Sequence, residues 1–241
     1  MGLGDRFLHQ GRAQLQAIIN AKQAGVAITP VWNKSDREHV IVGTEPVTLR
    51  EEADAAVSAL GWDGPYRVDA DHINLSTVGR FIDCSDFFTI DVGDAIGLPA
   101  DDLDIAGFVV RNSHYIGELH IPGSGTHQVT QQAIEQVASK FHKAVKLAGR
   151  IYRRILEHHG ADFIPEFSID ETDTPQSPLE LFFILEMIAM EGIPIQTIAP
   201  RFTGRFNKGV DYVGDIVQFE KEFNDGLATI AFAISEFGLP E

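Results

Sequence analysis

At 241 residues and 44% hydrophobic content, the chain is long enough to bury the core of one large domain or two small ones. Its 35 acids against 19 bases give a formal net charge of -16 and a pI near 4.8. That balance disfavours a nucleic-acid binder, which carries a basic footprint, and suits a soluble enzyme of small molecules. Cys84 is the only cysteine, which excludes an intrachain disulfide and leans towards a reducing cytoplasm.

The N-terminus, MGLGDRFLHQG, lacks the basic-then-apolar order of a signal peptide. Leu15, Ile18 and Ile19 give residues 13–24 helical spacing. VAITPVW, from Val26, reads as a buried strand ending in the polar stretch NKSDREH. Leu49, Ala53, Ala56 and Leu60 share one face of a second helix, Thr48 to Leu60. YRVDAD is the next strand and STVGRFI a short helix. FFTIDVGD, from Phe87 to Asp94, is again a strand, followed by a helix near Asp102 to Arg111. From Ser113 to Gly125 no period stands out, and PGSG marks a loop. A long helix follows over about Gln128 to His158. FIPEFSIDE, Phe163 to Glu171, is a strand with an acidic end.

Ser177-Pro178-Leu179-Glu180 opens the next helix with an N-cap serine, a first-turn proline and a glutamate that closes the capping box. The most apolar stretch, Leu181 to Met190, contains Glu186 and is too short to span a bilayer. IPIQTIAP, Ile193 to Pro200, is a fifth strand, and helices follow from about Asp215.

Apolar strands alternating with helices imply a parallel sheet covered on its faces, closed as a barrel or left open and doubly wound. In either form, ligands bind at polar groups just past the carboxyl ends of the strands. Asn33-Lys34, Asp69-Asp71-His72, Asp91-Asp94, Asp170-Glu171 and the stretch from Arg201 to Lys208 each follow a predicted strand, which favours a barrel. A complete eight-stranded barrel needs about 250 residues. The expectation is therefore an α/β fold of the TIM-like (β/α) barrel type, one domain over residues 1–241 and partial at its C-terminal end. Open strand edges and helix faces around Leu227, Ile230, Ala231 and Ile234 would then favour self-association into a homo-oligomer.

Of nine histidines, His72 alone ends a predicted strand among acids, which makes it the candidate metal ligand; the bland alternative is a hydrogen-bonded histidine under a loop. No HxH or HExxH motif is present, so further ligands would come from separate strands. Asp71 and Glu171 end different predicted strands and are the acid–base candidates, with Asp69 or Asp170 as substitutes. APRFTGRFNKG, residues 199–209, carries Arg201, Arg205 and Lys208 without an acid, in a chain that is otherwise strongly acidic. Its glycines let backbone N–H groups approach, so it reads as an anion site, against a plain basic loop.

Five blocks in order, GLGDRF, TPVWNKSDREH, VDADHINLSTVGRFIDCSDFFTIDVGD, SIDETDTPQSPLELFFIL and IQTIAPRFTGRFNKGVDYVGDIVQFEKEF, resemble the tagaturonate epimerase (hexulosonate epimerase) family over nearly the whole chain. The resemblance implies a cytoplasmic, metal-dependent barrel enzyme that interconverts D-tagaturonate and D-fructuronate in hexuronate breakdown. Asp71 would be the proton acceptor, His72 the first ligand of a divalent metal cation, and Glu171 the proton donor. Members of the family run on past GLPE, where two further ligand histidines lie. The substrate carboxylate would meet Arg201, Arg205 or Lys208. Lys208 also offers a different chemistry, a Schiff base in a metal-free aldolase, and a non-catalytic sugar-acid-binding barrel is a third reading.

Overall fold

The computed structural model describes residues 1–207 and 210–240. In chain order the elements are β1 (Gly2–Gly4), α1 (Gly11–Gln23), β2 (Val31–Ser35), α2 (Asp36–Val42), α3 (Val47–Leu60), β3 (Arg67–Ile73), β4 (Phe87–Asp91), α4 (Asp102–Arg111), β5 (Gly117–Ile121), β6 (Gly125–Val129), α5 (Gln131–His159), β7 (Ile164–Ser168), α6 (Pro178–Met190), β8 (Thr197–Ala199) and α7 (Ile216–Phe237). The expected α/β fold on a parallel sheet is present. Its residues divide into two compact units, Met1–Asp91 with Ile151–Glu166, and Val92–Arg150 with the residues from Phe167 on. No helix among the described residues is long and apolar enough to cross a membrane.

In the first unit β1, β2, β3 and β4 pair in parallel in that order, and the start of β7 lies beside β4, with Ile164 N donating to Asp86 O at 3.1 Å. Strand β2 begins at Val31, later than the apolar run suggests. Pro30 has no N–H to give a ladder, but its carbonyl accepts from Arg67 N and starts the β2–β3 pairing. The polar NKS therefore belongs to the strand. Ser35 ends it and caps α2, its side chain accepting from Glu38 N. Helix α2 carries no apolar period, and His39 is its one buried residue.

Helices α1 and α3 lay Leu15, Ile18, Leu49, Ala53 and Ala56 on Trp32 and Val68 of β2 and β3. All are nearly inaccessible to water, so the i, i+3/i+4 spacing has become the inner stripe of each helix. Phe88 of β4 meets Phe163 edge-on, ring centroids 5.4 Å apart.

The second unit is held by α6, whose residues Leu181 to Ile188 are all buried, Glu186 included. Phe182 stacks on Phe232 of α7 at 5.5 Å. The predicted capping box is present: Ser177 Oγ accepts from Glu180 N, and Glu180 Oε2 from Ser177 N. Ser177→Ala is expected to lower stability by ~1 kcal/mol, read as a shifted urea midpoint with an unchanged slope. The stretch left without a period folds as the antiparallel hairpin β5–β6, turning through Pro122-Gly123-Ser124 with Gly123 at φ +88°. Strand β8 is three residues long, tied to the end of β7 by Ile169 N donating to Ala199 O at 3.0 Å.

Candidate functional site

Side chains alternate across a strand, so the parallel register of β2, β3 and β4 sorts the first unit's sheet into two faces. Trp32, Val68, Ala70, Phe88 and Ile90 lie on the face covered by helices. The opposite face receives Asn33 and Ser35 of β2, Asp69 and Asp71 of β3, and Thr89 and Asp91 of β4, with Asn33 beside Asp69 and Ser35 beside Asp71. Glu166 of β7 joins them by touching Thr89. This polar face is the candidate site.

Asp71 and His72 stand there together because β3 carries one extra residue. Ala70 pairs with Phe88 but Ile73 pairs with Ile90, so two β3 residues oppose the single Thr89. The bulge returns Ile73 to the apolar face, where it is wholly buried, although two polar residues precede it. His72 absorbs the distortion with φ +54°, a left-handed backbone that costs a non-glycine residue about 1–3 kcal/mol. Its Nδ1 lies 2.7 Å from Asp71 Oδ1, and the two side chains are 38% and 19% exposed. With Nδ1–H donated to Asp71, Nε2 is the acceptor nitrogen. A carboxylate behind an imidazole is the arrangement that orients metal-ligating histidines. Among the described residues, however, no group of three or more His, Cys, Asp or Glu side chains is arranged to hold a metal ion. The described residues do not form a metal centre by themselves.

Deeper on the same face, Asp69 is 5% exposed and Thr89 3%. Thr89 N donates to Asp69 Oδ1 at 3.2 Å, while Thr89 Oγ1 lies 3.1 Å from Asp69 Oδ1, 3.0 Å from Asp69 Oδ2 and 3.2 Å from Glu166 Oε1. Burial pushes the Asp69 carboxyl well above its ordinary range, and the negative charges of Asp71 and Glu166 add to the shift. Neither Thr89 nor Glu166 stood out in the sequence. The signal for Glu166 was a charge between Pro165 and Phe167 in a five-residue strand, where strict alternation sends it to the face away from both.

Glu171 lies in the second unit, exposed in the turn after β7, which stops at Ser168 rather than running to the acidic end. The preceding Asp170 accepts from Ser168 Oγ at 2.7 Å through Oδ1. Arg201 donates from Nη1 to Asp170 O at 3.2 Å, and its backbone N–H is held by Gln176 Oε1 at 2.7 Å. It lines a cavity of about 360 Å³ with Gln176, Pro178, Phe202, Lys221 and Glu222. Arg205 is exposed, its backbone bridged to Val213 by two hydrogen bonds of 2.9 and 3.2 Å. Lys208 lies outside the described residues. Of the two predicted cations among the described residues, Arg201 lines that cavity and Arg205 does not.

A family model described as tagaturonate epimerase matches residues 1–236. The chain is 27% identical over 233 residues to a tagaturonate/fructuronate epimerase of Thermotoga maritima, covering 92% of this chain and 47% of that protein. Crystal structures of a fructuronate-tagaturonate epimerase from Cohnella laeviribosi, native and with glycerol bound, are 26% identical to it with a TM-score of 0.81, covering 99% of this chain and 50% of theirs. The chain thus spans about half the length of these relatives. A match over residues 1–236 takes in both units, and the chain belongs to the tagaturonate epimerase family.

Proposed function

We propose that the protein is a cytoplasmic, metal-dependent sugar-acid epimerase interconverting D-tagaturonate and D-fructuronate, built on a partial (β/α) barrel. The observation that carries this reading is the Asp71–His72 pair, held by a bulge on a sheet face rich in carboxylates, in a chain of the epimerase family.

The two hexulosonates differ at a carbinol one carbon beyond the position next to the ketone. Its C–H is not acidified by the carbonyl, so direct deprotonation is unfavourable. In the route proposed, Asp71 takes the proton of the carbinol hydroxyl. The adjoining carbon–carbon bond breaks with its electron pair moving towards the ketone, leaving an aldehyde and an enediolate. Rotation of the aldehyde and re-addition to its other face reform the bond, and Glu171 protonates the new alkoxide. Solvent restores both carboxyl groups. His72 would be one ligand of the divalent cation, whose other ligands the described residues do not supply; a Lewis acid of this kind polarises a ketone.

Incubation of D-fructuronate with the protein and divalent cations in deuterated water, followed by NMR, tests the reading. Tagaturonate without deuterium at the epimerised carbon is the expected result. Deuterium there would sink the retro-aldol route, and failure to interconvert the two acids would overturn the function. Borohydride trapping of substrate on Lys208 would favour the aldolase instead. Arg201 is proposed to bind the substrate carboxylate, so Arg201→Met should raise KM by roughly 10- to 100-fold with kcat little changed. An unchanged KM would remove Arg201 from that role.

A further inference from the structure

Two acids of β3, Asp69 and Asp71, reach the polar face, and either has the chemistry of a general base. Hydrogen-bond counting separates them. Thr89 Oγ1 carries one hydrogen, yet it lies within bonding distance of both the Asp69 and Glu166 carboxyl groups. Were both ionised, one of those contacts would join two oxygens with no hydrogen between them, beside an Asp69 and a Thr89 that are buried, with Glu166 half-buried next to them.

We propose that Asp69 holds a proton that completes a chain running from Asp69 Oδ2–H to Thr89 Oγ1 and from Thr89 Oγ1–H to Glu166 Oε1, so that Asp69 is a positioning residue and Asp71 alone on β3 is the base. Thr89 Oγ1 stands 3.1 Å from Asp69 Oδ1 and 3.0 Å from Oδ2, and because Oδ1 already accepts from Thr89 N–H, Oδ2 is the oxygen assigned the hydrogen. Burial and the neighbouring charges act in the same direction. Besides Asp69, the titratable and charged groups that strand alternation places on this face are Arg67, Asp71 and His72 on β3, Asp91 on β4 and Glu166 on β7; Arg67, at the start of β3, pairs with Asp86 and Asp162, and β2 contributes the uncharged Asn33 and Ser35. The inference rests on the proposed epimerase only in giving Asp71 its task; the proton on Asp69 is read without any substrate.

Infrared spectroscopy of the protein in deuterated buffer near pH 7 tests it. A protonated-carboxyl band is expected, absent from Asp69→Asn, shifted in Thr89→Val and retained in Thr89→Ser, which keeps the hydroxyl. Absence of the band in the wild-type protein, or its survival in Asp69→Asn, would overturn the proposal. Thermal unfolding gives a second reading. A carboxyl with a raised folded-state pKa favours the native state at low pH and withdraws that support as pH rises above the ordinary carboxyl range. Asp69→Asn places an amide N–H where the carboxyl hydrogen stands and does not titrate. Its Tm relative to wild type should therefore rise by roughly 3 °C or more between pH 5 and pH 8. A difference that does not change with pH would count against the shared proton. If the band behaves as expected but the protein does not interconvert the hexulosonates, the proton assignment stands and the epimerase reading fails.

Discussion

Asp71→Asn is expected to lower kcat for tagaturonate–fructuronate interconversion by roughly 10²- to 10⁴-fold, the usual contribution of a positioned general base. The fold should survive the change. Asp71 is partly exposed, and its Oδ1 lies 2.7 Å from His72 Nδ1. An asparagine that turns its amide oxygen to Nδ1 still accepts that hydrogen, so the imidazole keeps its orientation while the group that removes a proton is gone. Partly exposed substitutions that keep shape usually move stability by no more than about 0.5 kcal/mol, so a large fall in Tm would mean that the loss of turnover came from unfolding. Steady-state rates with circular dichroism on the same samples separate the two outcomes. Turnover at the wild-type rate in Asp71→Asn would remove Asp71 from the base role.

The same residues show how far the sequence could be read. Helices α1 and α3 were legible because Leu15, Ile18, Leu49, Ala53 and Ala56 repeat at the helical period and all reach the core. Asp71 and His72 stood out as polar residues closing an apolar run. What the sequence hid was register. The bulge that keeps both on one face depends on Ile73 finding Ile90 across the ladder, a pairing between strands that no local period records. Thr89 and Glu166 escaped notice for the same reason: their roles come from lying beside Asp69, at separations of 20 and, from Thr89 to Glu166, 77 residues along the chain. Strand β8 lies inside the fifth strand expected over Ile193 to Pro200 but is only three residues long, and the β5–β6 hairpin escaped notice because five-residue strands are too short for alternation to rise above turn chemistry. Helix α2 forms under a serine cap with little apolar stripe, since only His39 needs burying.

His39 leads to the second large effect, on the helix-covered side of β2. It is wholly buried, as is Lys34, and both reach Thr44 Oγ1 at 2.9 Å, Lys34 through Nζ and His39 through Nδ1. An ammonium can only donate, so Thr44 Oγ1 accepts from Lys34 and has its own hydrogen available for Nδ1 of a neutral His39. Protonation would place a second buried cation beside Lys34, with Arg80 also near. Burial, then the charges of Lys34 and Arg80, hold the His39 pKa down to about 4. The unfolded chain takes up this proton near pH 6.5. Between those values the unfolded state binds the proton and the native state does not, so stability present above pH 6.5 is lost as pH falls towards 4. The loss amounts to about 3 kcal/mol at pH 4, or roughly 6–12 °C in Tm. His39→Asn does not titrate and can still accept from Thr44, so it should flatten the Tm profile between pH 4 and 6.5. Its loss of ring volume lowers stability equally at every pH, which makes the slope and not the height of the curve the quantity to read. Asp69 acts in the opposite direction, weakening the native state as pH rises, so the two variants should tilt the profile in opposite senses. A His39→Asn protein that keeps the wild-type slope would show that His39 is already protonated in the native state.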